Sequence, residues 1–186
     1  MPALPSRPDE VVRGAGPRRV KVLGVVGWSG SGKTTMLTAL LPRLVARGLS
    51  VSTVKHVHHG FDMDRPGKDS FRHREAGARE VLISGAQRWA LLHEVAGPEP
   101  DLPALLTRLS PVDLVLVEGF KTHPFPKLEV YRPALGKPPI WPEDADIQAV
   151  ACDVPLPGCP RVVLPLNDAD AVLAWVLTRH GPEVTG

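Results

Sequence analysis

Cysteine is nearly absent from this sequence: Cys152 and Cys159 are the only two in 186 residues. They supply neither a metal-binding spacing nor a disulfide framework, so a reducing cytoplasm is the expected setting. No uninterrupted apolar run is long enough to span a bilayer. The N-terminus lacks the plan of a signal peptide. Residues 1–19 are rich in Pro, Arg and Gly, and the apolar stretch after Lys21 is broken by Gly24 before a polar Gly/Ser turn. Charge of one sign is also scarce: a formal net charge of +2 is too mild for the basic footprint of a nucleic-acid binder. Neither a membrane nor a nucleic acid is therefore expected as a partner.

What is present suits one soluble globule. Hydrophobic residues make up 43% and charged residues 23% of the chain, and its length can enclose a single core without disulfides or a structural metal. Proline, with 21 residues, has twice its usual share of about 5%, but it falls between the periodic segments. Residues 1–18 read as a flexible basic leader and 19–186 as a single domain, with 132–142 as a Pro-rich linker or arm.

The pattern alternates buried strands with amphipathic helices. Strands are expected over 20–26, 50–57, 79–84, 87–93, 114–117, 128–131, 147–151 and 161–164. Helices are expected over 34–47, with Pro42 as a potential kink, over a short span from Asp69 to Ala78 capped by Asp69, and over 98–110 and 168–180. Such alternation predicts an α/β three-layer fold with a mainly parallel sheet, whose ligands sit at the carboxyl ends of the strands.

The sharpest motif is Gly27-Trp28-Ser29-Gly30-Ser31-Gly32-Lys33-Thr34, a complete G-x-x-x-x-G-K-[ST] between a buried strand and an amphipathic helix. Glycine permits the backbone conformations that turn successive N–H groups inward onto phosphate oxygens. Lys33 supplies a cation to the β and γ phosphates, the Thr34 hydroxyl a ligand for Mg²⁺, and the helix start its positive dipole end. The fold expected is thus the P-loop NTPase one. Trp28 is a bulky insert that either shields the phosphates or packs on the surface. A carboxylate is needed at the end of a neighbouring strand. Asp113 precedes the run LVLV and lies at the wrong end, whereas Glu118 follows it at the right one.

A polar window holds Lys55, His56, His58, His59, Asp62, Asp64, Lys68, Asp69 and His73. It reads as a phosphate or oxyanion pocket beside the loop, a transition-metal site, or a solvated loop. The first reading is preferred, because no closed metal-ligand pattern is present. Asp69 is a further candidate for reaching Mg²⁺ or positioning a water.

Together the segments GWSGSGKTT, KHVHHGFDMDRPGKDSFRHREAGA and DLVLVEGFKTHPFPKLEVYR, with a late Leu166-Asn167-Asp168, resemble the molybdopterin-guanine dinucleotide biosynthesis protein B (MobB) family. The resemblance covers about Val20 to Arg132 in the family's order. It implies a GTP-binding accessory protein with weak Mg²⁺-dependent GTPase activity, usually a homodimer. Such a protein acts with MobA, the nucleotidyltransferase that attaches GMP to molybdopterin. By motif match Gly27, Ser29, Gly30, Ser31, Gly32, Lys33, Thr34 and Thr35 would bind the phosphates, and Thr34 and Glu118 would serve Mg²⁺. Lys55, His56 and His58 would line the adjoining pocket, where a second anion or molybdopterin would sit. Lys33, Glu118 and Asp69 are the candidates for catalysis. No N-K-x-D motif is present. Preference for GTP comes from the resemblance, with Asp153, Asp168 and Asp170 as candidate base readers. No water-orienting glutamine can be assigned; Arg65, Arg72 and Arg74 are candidate arginine fingers. Slow turnover is expected. A small-molecule kinase on the same fold and a metal-delivery GTPase are the alternatives.

Overall fold

The computed structural model describes residues 20–57 and 63–180. Six parallel strands form the central sheet: β1 (Lys21–Val26), β2 (Val51–Lys55), β5 (Leu114–Glu118), β6 (Lys127–Tyr131), β7 (Ile147–Cys152) and β8 (Val162–Pro165), in the spatial order β2-β5-β1-β6-β7-β8. β3 (Glu80–Ser84) and β4 (Trp89–His93) stand apart as an antiparallel hairpin. The expected mainly parallel α/β arrangement is what the structure has. No helix among the described residues is long and apolar enough to cross a membrane.

The sheet's strands are apolar on both faces because both are covered. Leu23 and Val25 of β1 pack with α1 (Lys33–Ala46) and α4 (Ala169–His180), through Met36, Leu37, Leu40, Leu44, Val172 and Val176. On the other face α3 (Leu102–Leu106) covers Val115 and Val117. Irregular chain covers the rest: Ile140, Trp141, Leu156 and Cys159 lie against Val26, Ile147 and Val150. The Pro-rich stretch 132–142 is thus part of the core's cover. Both oxygens of the wholly buried Glu129 accept from its backbone, Ile140 N–H and Trp141 N–H at 2.8 Å each.

Several local expectations need correction. The helix expected over 98–110 shrinks to five residues. Asp101 caps it by accepting from Ala104 N–H at 2.9 Å, and Pro103, tolerated in a first turn but not in a helix interior, bars an earlier start. The short helix α2 (Asp69–Glu75) is not capped by Asp69, which is its first helical residue; Lys68 holds the capping position and makes no side-chain cap. Asp64 steadies the entry instead, accepting from Arg65 N–H at 3.0 Å and the Ser70 hydroxyl at 2.8 Å. Gly77, at φ +99°, ends the turn before the expected Ala78. The expected leader at 1–18 lies outside the described residues.

Candidate functional site

Register builds the site. Parallel pairing places Lys55 beside Glu118, and Glu118 beside Val25, in one row at the carboxyl ends of β2, β5 and β1. The glycine-rich loop leaves β1 immediately beyond that row. Its turns depend on glycine: Gly27, Gly30 and Gly32 sit at φ +147°, +80° and +102°. At Gly27 a side chain would also collide with the Val130 carbonyl of β6. The loop ends in α1, with Gly32 at its N-cap, so the first N–H groups of that helix face the ligand side.

Four predicted residues, Lys33, Thr34, Lys55 and Glu118, meet here. The Thr34 hydroxyl donates to Glu118 Oε1 at 3.1 Å, and Lys55 Nζ lies 3.7 Å from Glu118 Oε2. Lys33 Nζ donates to the carbonyls of Gly27 at 3.0 Å and Trp28 at 2.8 Å. Burial holds the Lys33 ammonium below its usual range; Glu118 opposes this, and the charges of Lys121 and Lys55 add to the lowering. Asp113 lies at the opposite, amino end of β5, bonded to Ser50 N–H at 2.8 Å and the Ser50 hydroxyl at 2.6 Å. Thr34 Oγ1 and Glu118 Oε1 form a pair of hard oxygen donors beside the loop, which suits a small divalent cation such as Mg²⁺. Ser29, Gly30 and Thr35 are exposed on the loop and helix start. Ser31 is buried, and its hydroxyl has no hydrogen-bond partner among the described residues.

The chain after Glu118 is under conformational constraint. Gly119 is at φ +101°, where a Cβ would lie 2.8 Å from His56 Cβ, and Phe120 follows at φ +50°. Phe120 stacks on the His56 ring with centroids 4.4 Å apart, and His56 Nε2 lies 2.8 Å from Glu99 Oε1. His56 N–H also donates to the Glu118 carbonyl at 2.8 Å. His56 is thereby tied to the main chain of Glu118 at the end of β5. His58, His59 and Asp62 lie outside the described residues. Asp69 is exposed on α2, 3.9 Å from Arg72; among the described residues no hydrogen bond or ion pair joins it to Lys33, Thr34 or Glu118. No cluster of three metal-binding side chains exists among the described residues.

Sequence reasoning missed the other wall of the site. Trp28 does pack: its indole N–H donates to the Pro138 carbonyl at 2.7 Å. Lys121 and Lys137 stand over its ring at 4.4 and 5.9 Å from the centroid. Arg132 Nη2 would lie 3.8 Å from a Cβ on Gly32, and Arg132 Nη1 bonds Asp153 Oδ2 at 2.9 Å. Arg132 is therefore the arginine found beside the loop. Of the three expected on the polar window, Arg72 pairs with Asp69, and Arg74 contacts Asp64 at 3.5 Å and Glu94 at 3.1 Å. The only sequence signal for this wall was the run Lys127-Leu-Glu129-Val-Tyr131, in which charges alternate inside an apolar strand ahead of a Pro-rich stretch.

Comparison with known proteins points to one family and its fold. A family model described as molybdopterin guanine dinucleotide synthesis protein B matches residues 22–153. The molybdopterin-guanine dinucleotide biosynthesis adapter protein of Escherichia coli (strain K12) is 41% identical over 175 residues, covering 90% of this chain and 99% of that protein. The adapter protein of the same name from Haemophilus influenzae is 41% identical over 169 residues, covering 88% and 93%. A solved structure of molybdopterin-guanine biosynthesis protein B superposes with a TM-score of 0.68 at 30% identity, over 84% of this chain and 97% of that one. The Bacillus subtilis MobB structure superposes with a TM-score of 0.66 at 26% identity, over 88% and 99%.

Proposed function

Because this chain belongs to the molybdopterin guanine dinucleotide synthesis protein B family, we propose that it is a GTP-binding adapter in molybdopterin guanine dinucleotide biosynthesis. The observation that carries the nucleotide reading is the convergence of Lys33, Thr34 and Glu118 on one glycine-rich loop. In the proposed complex the loop N–H groups and the start of α1 hold the phosphate oxygens. Lys33 leaves the Gly27 and Trp28 carbonyls to meet the β and γ phosphates. Thr34 and Glu118 would hold Mg²⁺, which would supply positive charge to neutralise the phosphates. Lys55, beside Glu118, adds a cation at the γ end.

Hydrolysis would be in-line attack of water on the γ-phosphoryl group, with Lys33 and the loop N–H groups stabilising the developing charge. The activity proposed is weak, as suits an adapter's role. The partner enzyme proposed is the MobA-like nucleotidyltransferase, with molybdopterin as a further ligand of the Lys55–His56 side. The two free cysteines fit a cytoplasmic setting.

A homodimer is supported by the β3–β4 hairpin. Cross-strand pairing puts Leu82 opposite Leu91 and Ser84 opposite Trp89 on one face. Leu82, Leu91 and Trp89 are 61%, 45% and 68% exposed, an apolar surface that a second copy would cover.

The test is calorimetric titration of the protein with GTP and with ATP, each with Mg²⁺. GTP should bind more tightly and be hydrolysed slowly. Lys33→Ala should abolish tight binding; micromolar affinity retained in that variant would sink the assignment. Tighter binding of ATP, with phosphate transfer to an added hydroxyl compound, would favour a kinase.

A further inference from the structure

The γ end of a nucleotide in this loop is set by Glu118 and Lys55, on the β5 and β2 side of β1. The nucleoside must then leave on the other side, over β6 and β7. Parallel pairing of β6 with β7 ends at Tyr131 beside Cys152. Arg132 and Asp153 therefore leave the sheet side by side, and they meet at 2.9 Å. β7 is two strands from β1, a lateral distance of about 10 Å, the length of one nucleoside.

We infer that Asp153 reads the base, accepting from N1–H and the N2 amino group of a guanine, and that Arg132 positions it. This rests on the nucleotide reading above. A carboxylate offers about four lone-pair sites. Arg132 occupies one, on Oδ2, and among the described residues Oδ1 is approached by Cys152 Sγ at 4.0 Å. Two donors on a guanine edge can still be accepted. Adenine presents a ring-nitrogen acceptor at the same place and is repelled. The side chain of Asp153 is 20% exposed, so the pair is partly withdrawn from water yet open to a ligand. Val154, next in the chain, is 46% exposed and offers an apolar ledge for the base. The Arg132 guanidinium also approaches Gly32, so one side chain ties the base-reading carboxylate to the phosphate loop.

The other late carboxylates are committed elsewhere. Asp168 caps α4, its Oδ1 accepting from Asp170 N–H at 3.1 Å and Ala171 N–H at 2.9 Å. Asp170 pairs with Arg43 at 2.9 Å. Arg43 is ten residues beyond Lys33 on α1, about 15 Å from the loop along the helix axis.

The chemistry sets the experiment. Xanthine keeps N1–H but carries an oxygen in place of the N2 amino group. Asparagine, with one acceptor and one donor, matches that edge. Asp153→Asn should weaken GTP binding and strengthen xanthosine triphosphate binding, each on the order of ten- to a hundredfold, measured by calorimetry with Mg²⁺. Arg132→Ala should lower the ratio of GTP to ATP affinity, and Arg132→Lys should restore part of it. A merely structural role would weaken all triphosphates together. Retained GTP preference in Asp153→Asn, or lost GTP binding without a gain for xanthosine triphosphate, would overturn the inference and leave the nucleotide reading standing. A wild-type protein that binds no triphosphate would overturn both.

Discussion

Glu129→Ala is the perturbation whose cost follows most directly from the structure. Glu129 is wholly buried on β6, and its two oxygens each accept a backbone N–H at 2.8 Å, from Ile140 and Trp141. Alanine leaves both donors without their partner. Each such group costs about 1–3 kcal/mol when cut off from water. Part is recovered, because burial already pushes the Glu129 carboxyl above its usual pKa, against the two N–H donors, with Asp144 adding to the rise. The net loss should be about 2–4 kcal/mol, a drop in Tm of about 5–15 °C for a chain of this size. Urea titration and thermal melts measure it. Glu129→Gln keeps one acceptor and should lose about half as much.

The functional consequence runs along the chain that Glu129 holds. Segment 132–142 carries the Pro138 carbonyl that anchors Trp28, and Leu135 stands 3.8 Å from the position of a Cβ on Gly30. Nucleotide affinity should therefore fall with stability in Glu129→Ala. A variant within about 0.5 kcal/mol of the wild type would refute the reasoning, since it would mean that Glu129 does not hold the segment down.

Three further outcomes follow from the same structure. Glu129 has a raised pKa in the folded state, so its contribution is fully present below the unfolded value of 4.5 and is lost as pH rises through the raised one. The stability of wild type relative to Glu129→Gln should thus shrink between acid and neutral pH in paired urea titrations. Lys33 has a lowered pKa, so its ammonium loses its proton below the usual 10.5. The ratio of wild-type to Lys33→Arg affinity for GTP should fall as alkaline pH passes that point; a flat ratio in a calorimetric pH series would show that Lys33 does not carry the phosphate charge. Gly27→Ala should cost about 1–3 kcal/mol and abolish nucleotide binding. Its Cβ would meet the Val130 carbonyl and lie 2.8 Å from Ser31 Oγ at φ +147°, and a variant with wild-type urea midpoint and affinity would contradict that.

The sequence by itself determined the parallel α/β core and the phosphate loop. Both are written in local codes: apolar runs of strand length, helical spacing of leucines, and glycines at the turning positions of G-x-x-x-x-G-K-T. Glu118 was legible for the same reason, since a strand's direction says which end faces the loop. The last turns of Asp69–Glu75 and the extent of Leu102–Leu106 were not, because short helices depend on caps and on neighbouring prolines more than on periodicity. Only the tertiary structure decided the second wall. Trp28 with Pro138, Glu129 with residues 140–141, and Arg132 with Asp153 are 110, 11–12 and 21 residues apart in the chain. Strand register decides which side chains leave the sheet together, and it is set by packing across the whole sheet. Only the folded chain could therefore pair Asp153 with the loop's arginine and commit Asp168 and Asp170 to a helix end and an ion pair.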